Sequence, residues 1–142
     1  MRNVLITGGT GSLGQALARA LLARGAERLC VLSRDEAKQE DMLRALGHDP
    51  RLRMFLGDVR DRDRLELAMR GVDTVIHAAA LKRVPALQYS PSEGVMTNVI
   101  GSLNVIGAAL AREVPRVLAI STDKACEPVN LYGCTKATME HT

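Results

Sequence analysis

Apolar residues fall into five short, nearly continuous runs: Asn3 to Thr7, Arg28 to Ser33, Arg53 to Gly57, Asp73 to His77 and Arg116 to Ser121. Apolar and polar positions do not alternate within them, which is the pattern of strands covered on both faces in a parallel sheet. Between the runs the apolar spacing is helical. Leu13, Ala16, Leu17, Ala20 and Leu21 share one face of a first helix, and Gly25 follows as its stop. Ser33 and Glu36 have capping-box spacing before a second helix that Gly47 ends, and Gly71 closes a third after Arg70. The longest helix is expected to open at Ser90-Pro91-Ser92-Glu93, with Ser90 as cap, Pro91 at the first helical position and Glu93 reaching back. It should run to about Arg112, because Pro115 cannot continue it. This alternation predicts an α/β fold, a doubly wound parallel sheet of about five strands, and right-handed crossovers make the order 3-2-1-4-5.

Composition narrows the class. The 142 residues are 46% hydrophobic and 25% charged, without repeats or low-complexity tracts, so one globular Rossmann-type domain over 1–142 is expected rather than a disordered chain or a solenoid. The 19 basic residues stand against 16 acidic ones, for a net charge of +3. Arg51, Arg53, Arg60, Arg62 and Arg64 cluster, but Asp58, Asp61 and Asp63 interrupt them and only Phe55 lies nearby as an aromatic. That reads as a solvated face, not a nucleic-acid surface. Cys30, Cys126 and Cys134 are odd in number, lack CxxC spacing and follow no secretory signal, which points to reduced thiols in a cytoplasmic protein. Cys126 and Cys134 read as small buried residues rather than nucleophiles or ligands, and no metal site is expected. No apolar run is read as long enough to span a membrane, so a soluble protein is expected.

The first strand leads into TGGTGSLG, in which Gly8, Gly11 and Gly14 are spaced GxxGxxG. Glycines here let the backbone turn tightly and approach a pyrophosphate, whose charge is met by amides at the helix N-terminus. The motif follows a strand and opens an amphipathic helix, the context that dinucleotide binding requires. At the end of the second strand, where an NAD site usually carries an acid, stands Ser33-Arg34, with Asp35 next. Arg34 suits a 2′-phosphate and favours NADP over NAD; the alternative is a helix-start arginine facing water. Asp58 lies where adenine would rest, or caps a helix. His77-Ala78-Ala79-Ala80 leaves room for a cofactor, and His77 itself reads as a packed, hydrogen-bonded histidine.

The tail STDKACEPVNLYGCTK carries the remaining chemistry. Tyr132 and Lys136 form YxxxK and share a face if Asn130 onward is helical. A tyrosine titrates near 10, so a phenolate useful near neutrality needs about 4 kcal/mol of stabilisation. A partly buried Lys136 together with an oxidised nicotinamide ring meets that need.

With TGGTGSLG, the Asp58 turn, HAAA, Ser121-Thr122 and YGCTK in this order, the sequence resembles the extended branch of the short-chain dehydrogenase/reductase superfamily over its whole length. Thr122-Asp123-Lys124, SRDEAKQ at Ser33 to Gln39 and HAAALKRVP at His77 to Pro85 are similar to the amino-terminal part of inverting UDP-N-acetylglucosamine 4,6-dehydratases of polysaccharide biosynthesis. The resemblance implies cofactor contacts from Thr7, Gly8, Gly11, Ser12, Leu13 and Gly14, and from Ser33, Arg34, Asp58 and Val59. Ala78, Ala79, Ala80 and Lys82 continue that set, which Tyr132 and Lys136 complete.

It also implies a reaction. Tyr132 takes the C4 hydroxyl proton as hydride passes to NADP, Lys124 removes the C5 proton, Asp123 protonates the departing C6 hydroxyl, and hydride returns to C6. Thr122 belongs to the same centre. Lys124 must then be desolvated or crowded by positive charge to act as a base. The alternative is a strand-end Asp-Lys pair at the surface with Thr122 capping the turn. Asn98 is expected to orient the centre, while Lys82, Arg83 and Tyr89 either contact the UDP-sugar or are loop polarity.

Members of that family continue past YxxxK into a carboxyl-terminal substrate lobe, absent from this chain. The sequence therefore leaves open a dehydratase unit, a non-catalytic NADP(H)-binding or assembly module, and another oxidoreductase or epimerase of the same superfamily. The fifth strand would lie bare at a sheet edge, and with the last helices makes a homo-oligomer the expectation.

Overall fold

The computed structural model describes residues 2–142. Five parallel strands, β1 (Asn3–Thr7), β2 (Arg28–Ser33), β3 (Leu52–Leu56), β4 (Thr74–His77) and β5 (Val117–Ala119), lie in the order β3-β2-β1-β4-β5, as expected. Helices α1 (Ser12–Ala23), α2 (Glu36–Ala45) and α3 (Arg62–Ala68) provide the first crossovers. After β4 come α4 (Val84–Tyr89), α5 (Pro91–Val95), a π-helical segment (Met96–Ile100) and α6 (Gly101–Ala111). After β5 a 3₁₀ turn (Asp123–Ala125) leads to α7 (Leu131–Glu140).

The unbroken apolar runs follow from burial on both faces of the sheet. Leu5, Cys30, Leu32 and Val75 point to one face and pack with Leu65 and Met69 on the α3 side and with Val105 of α6. Their strand neighbours Val4, Ile6, Leu29, Val31 and Ile76 point to the other face and meet Ala18 and Leu22 of α1 and Met42 of α2. Gly25, Gly47 and Gly71 end their helical segments with φ of 84°, 64° and 64°.

Several local expectations need correcting. The buried stripe of α1 is Gly14, Ala18 and Leu22, and Leu13 is exposed, because Gly14 sits against Gly9: a Cβ on Gly14 would lie 2.4 Å from the Gly9 Cα. That contact rotates the helix by about one position. Asp35, not Ser33, caps α2, accepting from Lys38 N at 3.0 Å, and Ser33 is buried. Ser90 makes no side-chain cap bond, and Glu93 pairs with Arg60 across 2.9 Å. The long helix is interrupted by the π segment, a local insertion that periodicity does not register. Cys126 and Cys134 are exposed, and only Cys30 of the three is buried.

The arginine cluster is drawn into local pairs: Arg51 with Asp49, Arg60 with Asp58, Arg62 with Glu66. The reading of apolar length also changes. Pro91–Ala111, 21 residues, is long and apolar enough to cross a membrane, yet here its Val105, Ala108 and Ala109 are core residues and its Asn98 and Ser102 are bonded to protein groups. It packs as a core helix of the sheet. β5 is an edge strand with all three residues exposed.

Candidate functional site

A cavity of about 1050 Å³ runs along the carboxyl edge of the sheet, from the glycine loop past Arg34 and Asp58 to Tyr132 and Lys136. The loop can form its floor only with glycines. Gly8 has φ of 67°, and a Cβ there would lie 2.7 Å from the Ala79 Cα. Gly11 N donates to Gly8 O at 3.0 Å, closing the turn that aims α1 at the cavity. The N-cap Gly11 has no side chain to offer, and the first turn of α1 holds no acid. Its amides and the positive end of its dipole face the cavity uncompensated, the arrangement that takes a phosphate.

At one end Gln39, buried, donates to Ser33 Oγ at 2.9 Å and to the carbonyl of Phe55 at 2.9 Å, tying β2 to β3. The Arg34 guanidinium lies 3.7 Å from the Asp58 carboxylate, and Lys38 lies 3.2 Å from Asp35; both cations line the cavity. Burial works to raise the pKa of Asp58, but hydrogen bonds from Arg60 and the charges of Arg60 and Arg34 outweigh it and hold the carboxyl below its ordinary value. Asp58 is thus an ion-pairing group and not a helix cap; Asp61 caps α3.

Under the cavity a buried chain links β1, β4 and α6. Thr7 Oγ1 meets His77 Nδ1 at 2.7 Å, and His77 Nε2 meets Ser102 Oγ at 2.9 Å. Ser102 donates to the Asn98 carbonyl at 2.7 Å, so its oxygen accepts from Nε2–H and His77 Nδ1 accepts from Thr7. Burial first, and the Lys136 charge second, push the His77 pKa down to about 4. His77 is therefore a packed neutral histidine. The expected cofactor contact from Thr7 is not made by its side chain, which is fully buried and committed to His77.

At the other end Asn130 caps α7 through Gly133 N at 3.0 Å and sets Tyr132 and Lys136 on the face toward the cavity. Lys136 is 3% exposed and donates from Nζ to the Ile120 carbonyl at 2.6 Å. Burial lowers its pKa against the opposing charge of Glu140. Ser121, whose hydroxyl bonds Glu140, also lines the cavity.

Thr122, Asp123 and Lys124 are not brought into that lining. They form the exposed turn immediately beyond Ser121, Thr122 capping it at 3.4 Å from Lys124 N, and Lys124 pairs with Asp123 across 3.4 Å. The desolvation expected of Lys124 is not present, since its side chain is 52% exposed. The Thr122 hydroxyl first, and the Lys124 charge second, hold Asp123 below its ordinary pKa. Asn98 does not face the cavity as a substrate contact: it clamps both the amide and the carbonyl of Leu81 at 2.8 Å and donates to Thr135 at 3.0 Å. Lys82 lines the main cavity, and with Arg83 and Arg34 it borders a second one of about 490 Å³; Tyr89 is 90% exposed.

Lining residues that the local sequence pattern did not single out include Thr10, Gln15, Lys38, Asp41, Thr97 and Ile120. Lys38 sat within a helix whose facing was unknown. Thr97 lies on the π segment, buried, with a hydroxyl that has no hydrogen-bond partner among the described residues. An uncapped helix N-terminus, a glycine floor and the cations Arg34, Lys38 and Lys82 in one elongated cavity fit an anionic dinucleotide.

Fold and site together define a dinucleotide-binding domain of the extended short-chain dehydrogenase/reductase type. The chain belongs to the polysaccharide biosynthesis protein family, whose model matches residues 4–142. It is 51% identical over 136 residues to a UDP-N-acetylglucosamine 4,6-dehydratase (inverting) of Campylobacter jejuni, covering 95% of this chain and 40% of that protein. It is 48% identical over 143 residues to a UDP-glucose 4-epimerase of Rickettsia akari, covering 98% and 42%. Among solved structures it superposes on Pen from Bacillus thuringiensis with a TM-score of 0.96 at 39% identity, covering 99% of this chain and 43% of that one. DesIV, a dTDP-glucose 4,6-dehydratase from Streptomyces venezuelae solved with NAD bound, gives 0.89 at 32%, covering 99% and 50%. The chain thus spans about two fifths of the length of the curated relatives it matches.

Proposed function

We propose that this chain is the cofactor-binding part of an NADP-dependent sugar-nucleotide 4,6-dehydratase that acts on UDP-N-acetylglucosamine with inversion at C5, for surface-glycan synthesis. The observation that carries the reading is that Tyr132 and Lys136 line the same cavity as the glycine loop, while the Asp123–Lys124 turn packs on their helix. Arg34 and Lys38 support NADP, because a 2′-phosphate would find two cations at that end. Homo-oligomerisation belongs to the same proposal.

A bound nicotinamide supplies a hydride acceptor for sugar C4 and a donor for C6. The chain's own residues handle the protons. Tyr132 takes the C4 hydroxyl proton, and the buried charge of Lys136 stabilises the phenolate. Loss of hydride from C4 leaves a ketone that acidifies the C5 proton, which Lys124 removes as Asp123 gives a proton to the departing C6 hydroxyl. Hydride return to C6 is matched by a proton added to C5 on the face opposite Lys124, and the one Tyr132 took from the C4 hydroxyl balances it. As an exposed ion pair Lys124 and Asp123 hold the wrong charges for these roles. One proton passed from Lys124 to Asp123 corrects both, and exclusion of water by a bound substrate favours that neutral pair.

A 4-epimerase reaction is the second reading, favoured by the position of Asp123 and Lys124 outside the cavity lining, since epimerisation at C4 needs Tyr132 but no base at C5. A non-catalytic NADP(H)-binding or assembly module is the third. Incubation with UDP-N-acetylglucosamine and NADP, read by mass spectrometry, separates them. A product lighter by one water that vanishes in Lys124→Ala supports the dehydratase. A product of unchanged mass with the C4 epimer's chromatographic position supports the epimerase, and neither product despite bound NADP leaves the module.

A further inference from the structure

Gly133 is a glycine in the first turn of α7, with a helical rather than a left-handed backbone. Helix geometry does not ask for glycine there, and alanine is the better helix former. The reason lies across the contact. A Cβ on Gly133 would stand 2.1 Å from the carbonyl oxygen of Lys124, 3.2 Å from its carbonyl carbon and 2.9 Å from the Pro128 Cβ. The main chain of the Asp123–Lys124 turn therefore rests directly on the α-carbon next to Tyr132.

The contact is held from both sides. Asn130 Oδ1 fixes the Gly133 amide at 3.0 Å, which sets the first turn of α7. Ala125 N to Thr122 O and Cys126 N to Asp123 O, both 3.1 Å, close the 3₁₀ turn. Lys136 Nζ, one helical turn further on, holds the carbonyl of Ile120 just before it. Of these, the Lys136 bond and the Gly133 approach join the turn to the helix, and only the second sets backbone against backbone, with no flexible side chain to absorb a change.

We infer that Gly133 is a positioning residue: its missing side chain sets where Asp123 and Lys124 stand relative to Tyr132. The inference rests on the dehydratase reading, in which these groups act in succession on neighbouring carbons of one sugar. A side chain at 133 would push the turn outward and leave Tyr132, Lys136 and the glycine loop where they are. Oxidation at C4 would survive, and removal of the C5 proton with loss of water would not.

The test is Gly133→Ala in the protein that carries this chain. NADP affinity is measured by titration, cofactor reduction by nicotinamide absorbance in a single turnover with UDP-N-acetylglucosamine, and water loss by mass spectrometry. The expected result is NADP affinity within about threefold of the parent, reduced cofactor that forms and persists, and water loss slowed about 100-fold or more. Water loss within about threefold of the parent overturns the inference, as does equal slowing of cofactor reduction and water loss. If the variant does not fold, hydrogen exchange on the parent decides: the Ala125 and Cys126 amides exchange together with those of α7 if the turn is pinned, and at free-loop rates if it is not. A parent that binds NADP but never releases water sinks the dehydratase reading, and the exchange result still tests the pinning.

Discussion

Lys136 Nζ and the main-chain carbonyl of Ile120 are 2.6 Å apart, which ties the α7 helix to the end of β5 and buries the lysine charge beside Tyr132. The bond keeps the charge in place at the cost of desolvating it, which is why burial dominates the lowering of its pKa. Replacing Lys136 by Met keeps length and removes the charge. Turnover is expected to fall by about 10²–10⁴, with NADP affinity changing by less than about tenfold and the acid limb of the rate profile moving to higher pH, as steady-state kinetics against pH would read.

Arg34 tests the choice of cofactor. It faces the cavity with only a 3.7 Å partner in Asp58, so its guanidinium is available to a 2′-phosphate. A charged hydrogen bond contributes about 1.5–3 kcal/mol, or roughly 10–100-fold in affinity. Arg34→Ala is expected to weaken NADP by that factor and NAD by less than about threefold; equal losses in a calorimetric titration would refute the assignment.

His77 makes a prediction for stability against pH. Its native pKa is pushed down to about 4 from 6.5, so the unfolded chain binds a proton that the folded chain refuses. The contribution is complete above 6.5 and is lost as pH falls toward 4. Over that window it amounts to roughly 3 kcal/mol. Urea unfolding at pH 7 and pH 5 should show a steeper loss in the parent than in His77→Gln, and parallel losses in both would count against a neutral buried ring.

Gly8→Ala carries two costs at one position, a φ of 67° that an L side chain resists and a Cβ placed 2.7 Å from the Ala79 Cα. A destabilisation of about 1–3 kcal/mol is expected, with loss of NADP binding beyond what the fraction unfolded explains. Thermal unfolding with and without cofactor measures both.

Much of this protein was legible from local signals. Strand order, the glycine loop and the Tyr132–Lys136 pair follow from periodicity, from breakers such as Gly25 and Gly71, and from motif spacing, all of which act over a few residues. Helix facing was read less well. The burial of Gly14, Ala18 and Leu22 depends on how closely α1 approaches Gly9, which the repeat of apolar residues does not report. The capping of α2 by Asp35 was missed because Ser33, one possible cap, is taken into the core by Gln39.

By itself the sequence determined the α/β order, the glycine loop between the first strand and helix, and the placing of Tyr132 and Lys136 on one helix face, because each arises from residues within about two helical turns of one another. Only the tertiary structure decided the rest: that His77 is spent between Thr7 and Ser102, that Asn98 clamps Leu81 and does not reach the cavity, that Lys38 and Thr97 line it, and that Asp123 and Lys124 stand exposed on a turn pressed against Gly133. The physical reason is the same in each case. Burial, desolvation and close approach depend on which segments pack together across tens of residues, and a missing Cβ at position 133 acquires meaning only when the carbonyl of Lys124 arrives to occupy its place.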